Sequence, residues 1–82
     1  MRGRLSAWAI GLPHCRWDLT LTDEAGEQWG VILLPVLWGT QEGRLLWSRL
    51  TTMGCDGIEV ELVGEVRRDA YGGAILVSGV RE

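Results

Sequence analysis

The chain has no lysine and no phenylalanine, one histidine, two cysteines and two prolines. Each scarcity excludes something. Two cysteines do not make the disulfide framework by which small secreted domains compensate for a thin core. The His and Cys side chains amount to His14, Cys15 and Cys55, fewer than a structural zinc site takes. His14 and Cys15 are adjacent, and adjacent residues of a strand point to opposite faces. They cannot readily share an ion. Nor does a third orienting group stand at a spacing that would make them a catalytic pair. Asp18, Asp23, Glu24 and Glu27 read as a solvated strand face and a turn, not as paired catalytic carboxylates. No glycine-rich phosphate loop stands at a helix start. The expectation is a protein that is not an enzyme, with no metal and no cofactor.

Long apolar runs are lacking too. The longest, Val31 to Trp38, is far too short to cross a membrane as a helix. Leu5 to Leu12 follows Arg2 and Arg4 but is short and broken by Ser6 and Gly11, unlike a signal peptide. A cytoplasmic protein with reduced thiols and no membrane partner is expected. Positive charge is also scarce: 8 arginines face 11 acidic residues, for a net charge of −3. That excludes a surface that attracts nucleic acid everywhere and leaves room for a local basic patch.

What is present is a globular composition, 46% hydrophobic and 23% charged, with five tryptophans in 82 residues. Residues 1–82 read as one domain. A chain of this size buries only roughly 60–65% of its extended surface, so dimerisation is a common remedy.

The apolar pattern predicts five strands and a helix. Residues 4–10 alternate, with Arg4, Ser6, Trp8 and Ile10 on one face. Residues 14–22 alternate most cleanly: Cys15, Trp17, Leu19 and Leu21 face inward, His14 and Arg16 outward. Residues 28–38 are continuously apolar, as in a strand buried on both faces, with Pro35 marking a bulge or an edge. Residues 44–53 place Leu46, Trp47 and Leu50 at the spacing of one short amphipathic helix. Residues 58–66 alternate again, residues 67–73 read as a basic, aromatic connection, and 74–80 form the last strand. Gly64 suits tight curvature.

The order β-β-β-α-β-β is that of the OB-fold, a small all-β, five-stranded barrel whose faces and loops bind oligonucleotides. Single-strand binders combine a basic groove with aromatic stacking platforms. Arg67, Arg68 and Tyr71 fall together in the connection after strand four. Arg4 and Arg16 extend a basic track, and Trp8 shares the face of Arg4. Glu59, Glu61 and Glu65 oppose it. Trp17 and Trp47 read as core, while Trp29 and Trp38 stay open between core, interface and stacking.

Three segments carry a resemblance. "GLPHCRWDL" (11–19), "LPVLWG" (34–39) and "GIEVELVGEVRR" (57–68) resemble strands two, three and four of the primosomal replication protein B family, short relatives of the bacterial single-stranded-DNA-binding proteins. Gly11, Pro13, His14, Cys15, the aromatic at Trp17 and Leu19 have counterparts there. The resemblance implies a homodimeric OB-fold that binds single-stranded DNA and replication-restart proteins, without catalysis. It assigns Arg67 and Arg68 to phosphate. Trp29 corresponds to the family's stacking tryptophan, displaced along the strand with its parity kept. The alternative of another class is an OB-fold interaction module that holds a protein partner and has little affinity for DNA.

Overall fold

Alternation with one apolar face is a local signal, and it places the strands where the ladders form. The computed structural model describes residues 1–10, 16–69 and 72–81. Strands β1 (Arg2–Ile10), β2 (Arg16–Asp23) and β3 (Gln28–Leu33) are followed by a helix, α1 (Gln41–Asp56), and by β4 (Glu59–Asp69) and β5 (Gly72–Arg81). The strands close in the order β1-β2-β3-β5-β4. All neighbours are antiparallel except β3 and β5. The protein is thus a small closed barrel of the OB type, with one helix between its third and fourth strands.

On β2 and the first half of β4 the buried positions are those of the alternating apolar face, while Val66, on the same face of β4, is exposed. Leu5 of β1, Leu19 and Leu21 of β2, Val60 and Leu62 of β4, and Ile75 and Val77 of β5 are buried in one cluster. Helix α1 closes one end of the barrel. Its Leu50, Met53 and Gly54, at i, i+3 and i+4, are buried, and Gly54 lies against Ala7 and Leu19.

Three expectations are corrected. The helix is longer than residues 44–53, by about a turn at each end, because its ends are decided by caps and not by apolar spacing. Thr40 accepts a hydrogen bond from the Gly43 N–H at 3.0 Å, and Gly57 ends the helix in the left-handed conformation. The third strand stops at Leu33 and is not buried on both faces. Ile32 and Val36 are exposed, and Pro35 opens a 3-10 turn, Pro35–Leu37, in place of a bulge. Proline has no N–H to give a ladder, so the first position of a helical turn suits it. Finally, Arg67 and Arg68 are strand residues. β4 runs through them to Asp69, and β5 begins at Gly72.

Gly64 sits where the β4–β5 register shifts: Val63 pairs with Gly79 but Gly64 with Val77, so Ser78 is extra. A side chain at Gly64 would collide with the Leu76 carbonyl. Among the described residues, no helix is long and apolar enough to cross a membrane.

Candidate nucleic-acid interface

The end of the barrel away from α1 is closed by one indole. Trp29 of β3 pairs with Gly73 of β5, and Gly73 with Arg68 of β4. The row brings Trp29 and Arg68 together across a residue with no side chain. The Trp29 ring lies where a Cβ on Gly73 would stand. The Arg68 guanidinium covers it, 4.8 Å from the ring centroid, and binds Glu27 at 2.6 Å. The indole N–H donates to Asp23 Oδ2 at 3.0 Å. Asp23 Oδ1 accepts from the N–H groups of Ala25 and Glu27, each at 2.9 Å. The Trp29 bond above all, then the Glu27 and Ala25 N–H groups and the nearby Arg68 charge, hold the Asp23 carboxyl below its usual range, against an opposing effect of burial.

The outer face of β1, β4 and β5 carries alternating charge. Arg2 stands opposite Glu61, and Arg4 opposite Glu59. Glu61 is in turn 3.6 Å from Arg81. Arg67 lies 3.5 Å from Glu65 on the same strand. Each of the three glutamates that seemed set to repel phosphate has an arginine beside it. Arg4 and Arg67 therefore belong to a mixed surface and not to a continuous basic track.

A third region was not singled out by sequence reasoning. Leu33 at the end of β3 and Arg44, Trp47, Ser48 and Thr51 of α1 line an open groove of about 370 Å³. A second hollow of about 310 Å³ adjoins it, lined by Ile32, Leu33, Trp38 and Trp47. Trp38 is 62% exposed, and its indole N–H donates to the Leu33 carbonyl at 2.8 Å. The ring is held by that bond and left open to solvent. Trp47, expected in the core, is only partly buried and forms the shared wall. Among the described residues, no carboxylate lines either hollow.

The structure thus brings Trp29 and Arg68 into one cluster and leaves Arg4 and Arg67 on the outer face. Trp29 is in the core, with its remaining face under Arg68, so it presents no open stacking face. Tyr71, His14 and Cys15 lie outside the described residues, as do the side chains of Trp8 and Arg16, whose backbones pair with Asp18 and Ile10. Among the described residues, Cys55 is a free, exposed thiol, and no group of three or more metal-binding side chains occurs. Compared with known proteins, the chain matches no family model, no curated protein and no solved structure.

Proposed function

We propose that the protein binds single-stranded DNA without catalysis, as an accessory factor in replication or restart. The observation that supports it is the groove between β3 and α1. An exposed indole, a second aromatic wall and Arg44 lie together there, with no carboxylate among the described residues that line it. Every base has a π-face, so such a surface takes single strands with little regard to sequence. Arg67 and Arg68 add phosphate contacts at the far end of β4. The link to replication and restart rests on the strand resemblance alone.

The test is a titration with oligo-dT, read by tryptophan fluorescence at several salt concentrations. Trp38→Ala is expected to weaken binding roughly ten- to a hundredfold, the worth of a lost stacking platform. Charge reversal of Arg67 and Arg68 together is expected to weaken it and to flatten its salt dependence. Absence of binding by the unaltered protein at low salt overturns the reading.

A second reading has its own support. Val36 and Leu45 are also exposed, which gives the chain an apolar surface suited to a protein partner. A null titration beside a stable complex with a basic protein selects that interaction module.

A further inference from the structure

The groove between β3 and α1 carries its polar side chains along one wall. Arg44, Ser48 and Thr51 stand at i, i+4 and i+7 of α1, one above another on a single helix face. Trp47 and Leu33 are shared with the adjoining hollow, whose described lining of Ile32, Leu33, Trp38 and Trp47 is apolar and aromatic. A base stacked on Trp38 in that hollow has the polar stripe within reach of its own sugar and phosphate.

The polar groups differ in what they have left to offer. Arg44 can only donate, which suits a phosphate. The Trp38 N–H is already held by the Leu33 carbonyl at 2.8 Å, which leaves that ring its π-face alone. The Thr51 hydroxyl donates to the Trp47 carbonyl at 2.7 Å. A hydroxyl has one hydrogen and two lone pairs, so Thr51 Oγ1 can now only accept. An acceptor needs a donor in the ligand. Inside a DNA strand the phosphates and the deoxyribose only accept. A ribose adds the 2′-hydroxyl, the one donor of the sugar–phosphate chain.

We infer that Thr51 makes this groove sensitive to the sugar: it accepts a hydrogen bond from a ribose 2′-hydroxyl, so that a single strand of RNA is held more tightly than a strand of DNA with the same bases. The discrimination rests on the stacking of bases in the groove proposed above and adds what stacking cannot supply. A π-face is common to both kinds of strand, and so is a phosphate. Ser48 is exposed, and water competes there for any such bond. Thr51 is half-buried, so its lone pairs are the better placed to discriminate. The preference is modest, because one neutral hydrogen bond replaces another to water.

Fluorescence titrations of the full chain with oligo-rU, oligo-dU and 2′-fluoro oligo-U, equal in length and at one salt concentration, test it. The three strands share base and phosphate, and the fluoro strand keeps a ribose-like pucker without the donor. The unaltered protein is expected to bind rU roughly three- to tenfold more tightly than either of the others. Thr51→Val keeps the shape and removes the acceptor. It should abolish the preference and leave the affinity for dU unchanged, which also reports an intact groove. Thr51→Ser keeps the oxygen and should keep the preference, while Trp38→Ala should weaken all three strands alike. The fluoro strand needs no variant, so the inference stays testable should Thr51→Val not fold. Equal affinity for rU and dU, a fluoro strand bound as tightly as rU, or a preference that survives Thr51→Val would each overturn the inference and leave base stacking in the groove standing. Binding of no strand at all would overturn both.

Discussion

The two ends of the barrel are closed by opposite means. At one, α1 drives Leu50 and Met53 into the cluster and lays Gly54 on Ala7. At the other, a single indole fills the opening, and its polar surroundings are Asp23, Glu27 and Arg68. The first closure draws on apolar area removed from water. The second draws on hydrogen bonds and charge at a half-open surface, where water and salt compete. The helix end should therefore hold the fold together, and the indole end should give it its response to pH.

The strongest way to break that contrast is Leu50→Ala. Leu50 is fully buried, and the truncation should cost about 2–5 kcal/mol. A domain has only about 5–15 kcal/mol in total, so urea unfolding should move to much lower concentration. A cost below about 1 kcal/mol would mean that α1 is peripheral to the core.

Gly73→Ala strikes the other end. The new methyl meets a flat ring that is pinned by Asp23 beneath Arg68. Overpacking of this kind should cost about 1–3 kcal/mol, less than the cavity at Leu50. The indole N–H resonance of Trp29 should shift with it, because the bond to Asp23 must give way. An unchanged resonance and unchanged stability would show that the ring does not fill that opening.

The contrast also separates what was legible in the chain from what was not. Leu19, Leu21, Val60 and Leu62 were readable as core because a period of two with one face buried is written locally. The order of elements gave the barrel. Ile32 misled because an apolar residue on the outside of a barrel looks in sequence like one on the inside, and Val36 misled because the chain has already left the strand for the 3-10 turn that Pro35 opens. Trp47 misled because its spacing with Leu46 and Leu50 names a helix face but not the gap between that face and the end of β3. Arg67 and Arg68 read as a loop because charge is commonest there, yet an open strand edge takes charge well. The Trp29 cluster joins Arg68 to Glu27 across 41 positions. Only the register of β3, β5 and β4 brings them together, and no local pattern carries that register.

The smallest effect expected is the most informative about the indole end. The Asp23 carboxyl is held below its usual range in the folded protein, and an unfolded aspartate titrates near about 3.9. Between the two values the unfolded chain binds more protons, so stability rises with pH there. The stabilisation is fully present above the unfolded value and is lost as pH falls through the folded one. Melting temperature should therefore drop on acidification from about pH 5 toward pH 2. Asp23→Asn should melt lower near neutrality, and its curve should meet that of the unaltered protein in acid. Salt separates the causes. The Glu27–Arg68 pair is exposed and is screened by salt. The chief partner of Asp23 is a neutral indole N–H, which salt does not screen. The difference between the two curves should therefore survive in high salt, and parallel curves at every pH would show that the Asp23–Trp29 bond does not stabilise this end of the barrel.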